Sequence, residues 1–145
     1  MSTDPIPAGG PMRELAGLLP AERILTTAED LVPYSFDATA ALRRPPRAVV
    51  FPENAAEVGA IVQWAGRHKV PLVPRGSGTG LSGGSVAATP DAVVVCLLRM
   101  NRILDLDAAN LTMTVEPGGI TQQAADAAER AGLFYPPDPG SMKVS

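Results

Sequence analysis

The residues best suited to chemistry lie in one stretch, Pro74-Arg75-Gly76-Ser77-Gly78-Thr79-Gly80-Leu81-Ser82-Gly83-Gly84, which follows a strand-like run and holds five glycines in eleven residues. Glycine reaches positive φ and leaves peptide N–H groups open to an approaching anion, so such a run can form a concave nest for a pyrophosphate. Arg75, Ser77, Thr79 and Ser82 add side-chain donors to the same stretch. Gly78 to Gly83 fits the bare GxGxxG spacing, but that motif must open a helix whose N-terminus faces the diphosphate. Here Ser85 to Pro90 contains a proline and leads into another strand, so the Rossmann reading fails. A P-loop needs Lys and then Ser or Thr directly after its last glycine, and Ser85 stands there instead. Two accounts remain: a diphosphate nest of another kind, or a flexible surface loop. The hydroxyls that bracket the glycines favour the first, because a purely structural turn seldom needs so many.

The other chemistry-bearing residues have quieter explanations. His68, the only histidine, closes a helix between Arg67 and Lys69, where positive charge complements the negative end of the dipole. Cys96 is the only cysteine, cannot form an internal disulfide, and sits in an apolar run where a thiol behaves as a small hydrophobe. The carboxylates Asp37, Asp91, Asp105 and Glu116 show no pairing pattern, so no catalytic acid, base, nucleophile or metal ligand is assigned.

The elements that must position the glycine run follow from periodicity. A short amphipathic helix is expected over Met12–Leu19, stopped by Pro20, and a second turn of helix over Ala28–Val32. Tyr34 to Pro46 has no clear period and reads as a linker, with Arg43 and Arg44 as solvated surface. Ala48–Phe51 reads as a buried strand closed by Pro52. A helix follows, capped by Asn54 with Glu57 as its capping-box partner, and with Val58, Ile61, Val62 and Ala65 as the buried face. Val70–Val73 completes a strand-helix-strand unit of parallel-crossover size. Ala92–Leu98 suits a strand buried on both faces, and Arg102–Leu106 with Leu111–Glu116 suits an antiparallel hairpin. Thr121 is expected to cap a last helix to Ala131 that buries Ala124, Ala128 and Ala131, with Gly132 in the left-handed stop position. The mixture is α+β (mixed α/β), divided into a tail, short helices and linker over residues 1–46 and a main domain over 47–145.

Bulk properties narrow the function classes. The chain has 145 residues, 46% of them hydrophobic, and a formal net charge of −3, enough for one domain with a real core. No basic stripe is present, so a nucleic-acid partner is not expected. The longest apolar run, Ala92–Leu98, is far short of the roughly 20 residues of a membrane span, and the N-terminus lacks a signal pattern, so the expected location is cytoplasmic. The 15 prolines and 14 glycines cluster between periodic segments and punctuate a folded chain; only Met1 to Pro11 reads as a disordered tail.

From about Arg47 onward the chain resembles the FAD-binding domain of the vanillyl-alcohol oxidase and p-cresol methylhydroxylase family, most closely its glycolate oxidase FAD-linked subunit and D-lactate dehydrogenase branch. Five ordered pieces carry the resemblance: Ala48 to Pro74, the loop PRGSGTGLSGG at Pro74–Gly84, MNRILD at Met100–Asp105, VEPG at Val115–Gly118, and PPDPGS at Pro136–Ser141. Tyr34 to Asp37 also looks like that family's lead-in. The resemblance implies two small α/β subdomains with an extended FAD between them, the chain supplying the first subdomain and the beginning of the second. It implies that Pro74, Arg75, Gly76, Ser77, Gly78, Thr79 and Gly80 hold the FAD pyrophosphate and that Ser82, Gly83 and Gly84 complete the loop. Pro117 and Gly118 would shape the wall near the adenine, and Pro137, Asp138, Pro139 and Ser141 would begin a second flavin-contacting loop. Without the loop at Pro74, ordinary turn chemistry would explain those Pro-Gly and Asp-Pro pairs. The loop holds no His or Cys for covalent attachment, so non-covalent FAD is expected. The implied activity is oxidation of a small 2-hydroxy acid to the 2-oxo acid, with hydride passing to flavin N5 and electrons leaving to a separate acceptor or partner subunit. Relatives continue past Ser145 into a substrate domain, so the fragment alone is expected to be inactive and prone to self-association. A non-catalytic nucleotide-binding module and a scaffold domain are the competing functions.

Overall fold

The continuous apolar run after the glycine loop supplies the central strand. In the computed structural model, which describes residues 10–39 and 41–144, strand β4 (Val93–Cys96) lies parallel between β2 (Ala48–Val50) and β3 (Leu72–Arg75), and all four of its residues are buried. Register is set by Val49↔Val94 on one side and Val73↔Val94 on the other. The expected strand-helix-strand unit is present, but its two strands are not neighbours. The strand with both faces apolar has taken the centre between them, where both faces are covered.

Ile24–Leu25 (β1) adds an antiparallel edge to β2, giving the order β1-β2-β4-β3. Two residues are too few to show a period, so this strand is not visible in the sequence pattern. The helix α1 is Pro11–Leu15, shorter than the expected Met12–Leu19, and α2 is Ala28–Leu31 followed by a 3-10 turn at Val32–Tyr34. Thr27 caps α2, its hydroxyl accepting the N–H of Asp30 at 3.3 Å. Of the expected N-terminal tail, residues 1–9 lie outside the described residues.

Helix α3 (Ala55–His68) begins as the sequence requires, with the Asn54 side chain accepting the Glu57 N–H at 2.9 Å. The Glu57 carboxylate reaches back to the N–H of Glu53 at 2.8 Å, one residue before the cap, and also receives both Nη atoms of Arg23 at 2.7 and 3.0 Å. The buried face departs from expectation. Ile61, Trp64 and Ala65 point into the core, whereas Val62 is 53% exposed. The apolar stripe is centred on Trp64, whose indole N–H donates to the carbonyl of Pro11 at 2.8 Å and fixes α1 on α3. Lys69 ends the helix in the left-handed conformation, φ 53°.

The sheet is covered on both faces. Met12, Leu15, Ile24, Val50, Ile61, Trp64 and Val95 form one core, so α1 and β1 of the N-terminal segment share it with the strands and α3. Leu31, Val49, Val73, Ala87, Val94 and Cys96 form the other. Cys96 is fully buried, and burial pushes its thiol above the usual range, as an inert core residue requires.

Strands β5 (Ile103–Asp107) and β6 (Thr112–Val115) form the expected hairpin as a separate two-stranded sheet with an irregularity between Ile103 and Asp105. Its turn is held by Asp107, whose Oδ1 accepts the N–H groups of Ala109 and Asn110, each at 3.0 Å. Helix α4 (Thr121–Arg130) has Ile120 at the capping position without a side-chain cap, so the expected Thr121 cap is not formed. Ala128 is buried, Ala124 is half-buried and Ala131 is exposed, a weaker buried face than the pattern suggested. Gly132 terminates the helix at φ 73°, as expected. The whole is a mixed α+β architecture.

Candidate functional site

The parallel strands deliver their C-terminal ends to one edge of the sheet, the place where open α/β sheets leave a crevice for ligands. The glycine loop leaves β3 there, Leu98 follows β4, and the turn after β6 folds back beneath them. Together they line a concavity of about 360 Å3 walled by Pro74, Gly76, Ser77, Gly78, Thr79 and Gly80 on one side and by Leu98, Pro117, Gly118 and Gly119 on the other. Ser82, Gly84 and Ser85 continue the wall, and Asp37 enters from the N-terminal segment.

Two glycines make this geometry accessible. Gly78 has φ 82°, a conformation other L-residues rarely adopt, and a Cβ there would overlap the guanidinium of Arg75. Gly118 is needed for another reason: a Cβ there would run into the main chain of Leu97 and Leu98, against which the turn is packed, with the Gly118 N–H donating to Met100 O at 2.8 Å. The turn is anchored by Glu116, only 7% exposed, whose carboxylate accepts the N–H, Nε and Nη2 of Arg102 at 2.9, 3.1 and 2.7 Å. Those bonds hold its carboxyl below the usual range.

The peptide N–H groups of residues 76–85 donate to no acceptor among the described residues. The Ser77 hydroxyl is buried without a partner. A buried polar atom left in this state marks a place where a ligand or water completes the bonding. Among the described residues, Asp37 is the only charged side chain in the lining. Its carboxylate accepts the N–H of Thr39 at 2.8 Å and the hydroxyl of Ser85 at 3.2 Å, which lower its pKa with the Thr39 amide foremost. An anion held here would therefore meet amide dipoles and hydroxyls, not lysine or arginine. The extended diphosphate of FAD fits this set of donors: unengaged amides, several of them glycine, and an unpartnered hydroxyl.

Not every expected site residue reaches the concavity. Arg75 and Gly83 lie behind it: Arg75 is buried with its guanidinium on backbone carbonyls, and Gly83 packs against Leu42. Pro137, Asp138, Pro139 and Ser141 are elsewhere, lining grooves against α4 with Gln122 and Met142. Conversely, Asp37, Leu81, Ser85, Leu98 and Gly119 line the concavity without having been singled out as site residues. Ser85 and Gly119 adjoin motifs and were within reach of the pattern; Asp37 and Leu98 arrive only through tertiary folding.

A protein-family model described as an FAD binding domain matches residues 46–145. The glycolate oxidase subunit GlcD of Bacillus subtilis is 49% identical over 112 residues, 77% of this chain and 24% of that protein. A D-2-hydroxyglutarate dehydrogenase of Stutzerimonas stutzeri is 43% identical over 125 residues, 86% of this chain and 27% of that protein. The chain thus spans about a quarter of the length of these curated relatives. Among solved structures, p-cresol methylhydroxylase with substrate bound superposes with a TM-score of 0.74 at 24% identity over 83% of this chain and 24% of that one, a likeness of fold.

Proposed function

We propose, for a chain that belongs to the FAD binding domain family and whose cofactor is FAD, that residues 74–84 wrap the diphosphate of a non-covalently held flavin dinucleotide. The related proteins are oxidoreductases, and the bound flavin supplies the redox chemistry. The observation that carries the reading is that the amides of residues 76–85 are unengaged among the described residues and that all of these residues but Gly83 line a concavity at the C-terminal edge of the parallel strands. Gly76, Gly78, Gly80 and Gly84 present their amides in this wall without a side chain that would keep an anion away. Ser77 places its free hydroxyl in the same wall, and Thr79 and Ser82 extend the row of donors. Pro117 and Gly118 contribute to the wall of the same concavity. Pro137, Asp138, Pro139 and Ser141 belong to a flavin contact only where further chain brings them toward the isoalloxazine.

The reaction that suits the relatives' printed names is oxidation of a small 2-hydroxy acid, of the glycolate, D-lactate or D-2-hydroxyglutarate class, to the 2-oxo acid. Within this chain the residues bind and orient the cofactor; the described residues place no acid-base pair at the concavity besides the pinned Asp37.

The test is titration of the 145-residue chain with FAD, followed by flavin fluorescence and by retention through gel filtration. FAD is expected to be retained, and Gly78→Val is expected to weaken binding at least tenfold with an unchanged far-UV spectrum. Equal retention by a folded Gly78→Val variant would show that the diphosphate lies elsewhere. For the reaction, anaerobic bleaching of flavin by D-lactate, glycolate or D-2-hydroxyglutarate in a protein carrying this domain checks the substrate class; no bleaching by any of the three refutes it.

A further inference from the structure

Arg75 closes β3 and turns under the glycine loop, leaving only 6% of its surface exposed. Its Nη1 donates to the carbonyls of Phe36 at 2.8 Å and Ser85 at 3.3 Å, and its Nη2 to that of Pro33 at 3.2 Å. The guanidinium lies 5.6 Å from the centre of the Tyr34 ring. No carboxylate forms an ion pair with it among the described residues; carbonyl dipoles and the ring face hold it directly, and the Asp37 carboxylate is near enough to feel its charge. One side chain thus joins three stretches far apart in sequence: the Pro33–Asp37 segment, the start of the glycine loop and its end at Ser85.

The contact with Gly78 decides what this junction does. Gly78 lines the concavity, and the space its missing Cβ would occupy is filled by the guanidinium. The wall is therefore one residue thick, with the proposed diphosphate on one side and Arg75 on the other. A second latch runs parallel to it, the Ser85 hydroxyl donating to Asp37 at 3.2 Å. A planar fork with several fixed donors reaches three carbonyls at once; an ammonium on a flexible stem does not.

We infer that Arg75 is a positioning residue that presets the amide row for a diphosphate by clamping the loop from behind, without touching the ligand. The inference rests on the diphosphate reading above. Loss of such preorganisation weakens binding because the loop must then be ordered at the moment of binding.

The experiment compares wild type, Arg75→Lys and Arg75→Gln for FAD affinity and, without FAD, for backbone hydrogen exchange. Clamping predicts that both variants bind FAD at least tenfold more weakly, and that exchange quickens at the hydrogen-bonded amides that border the clamp, those of Ser35, Thr39, Arg44 and Val86, while α3 is unchanged. Because lysine keeps the charge, a direct contact with the diphosphate would instead leave Arg75→Lys close to wild type, an outcome that overturns the inference. So does unchanged exchange at those four amides in either variant. Should Arg75→Gln fail to fold, Arg75→Lys carries both readouts alone. Failure of wild type to retain FAD, or retention by Gly78→Val, is the distinct signature of a wrong diphosphate assignment.

Discussion

At the scale of single residues, the site is shaped by what is absent at Gly78 and Gly118 and by what is tied down at Asp37 and Glu116. Gly118→Ala would press a methyl group into the carbonyl of Leu97, and backbone cannot yield as a side chain does. The expected loss is about 1–3 kcal/mol of folding stability, read from chemical denaturation, together with weaker FAD binding. Glu57 and Glu116 are both held below the ordinary glutamate value of 4.5, in each case chiefly by an arginine side chain, Arg23 and Arg102. A carboxyl lowered in the folded state stabilises it fully above the ordinary value, and that contribution disappears as pH falls through the lowered one. Stability should therefore be flat from neutral pH to about the ordinary glutamate range and decline below it. Glu116→Gln should flatten that acid limb by about one proton; an unaltered limb would mean that the Arg102 pairing does not survive in solution.

At the scale of elements, α3 is the clearest case in which one side chain overrides a pattern. Val62 falls on a plausible apolar face by spacing, yet Trp64 has the larger area to bury and a Pro11 carbonyl to receive its N–H. Trp64→Ala is expected to cost about 3–5 kcal/mol, or to abolish the cooperative transition, while Val62→Ala stays within about 0.5 kcal/mol. Thermal and urea melts of the two variants check this directly, and comparable losses would return Val62 to the core. Contact between α1 and α3 is reinforced at the surface, where Glu14 accepts from Arg67 and lies 2.6 Å from His68 Nε2. His68 is the last residue of α3, and its contact is with Glu14 of α1.

At the scale of the whole molecule, two sheets meet the solvent unequally. The four-stranded sheet is covered on both faces, but the hairpin exposes Leu104 by 55% and Val115 by 44%, and Phe134 beyond α4 is 84% exposed. Apolar groups left open beside unpaired strand edges promote association. Sedimentation of the 145-residue chain should show a mass that rises with concentration, and Leu104→Ser with Phe134→Ser should suppress the rise. A single monomeric species at all concentrations would contradict this. Among the described residues no helix is long and apolar enough to cross a membrane.

The amino-acid sequence by itself determined the features that depend on near neighbours: the Asn54 cap, the hairpin with its turn over residues 107–110, the Gly132 stop, the doubly buried β4 and the glycine run. The five ordered motifs add to these the family and its cofactor. Which residues share a wall was decided only by tertiary structure, because that depends on strand order and on contacts across the chain. The insertion of β4 between β2 and β3 brings Leu98 to the same concavity as Ser77, and the clamp on Pro33 and Phe36 carries Asp37 there too. Arg75 shows the difference most sharply. Its type and its position in a glycine loop suggest a hand held out to an anion, but three carbonyls left unsatisfied by secondary structure claim it first, and only the fold brings them there.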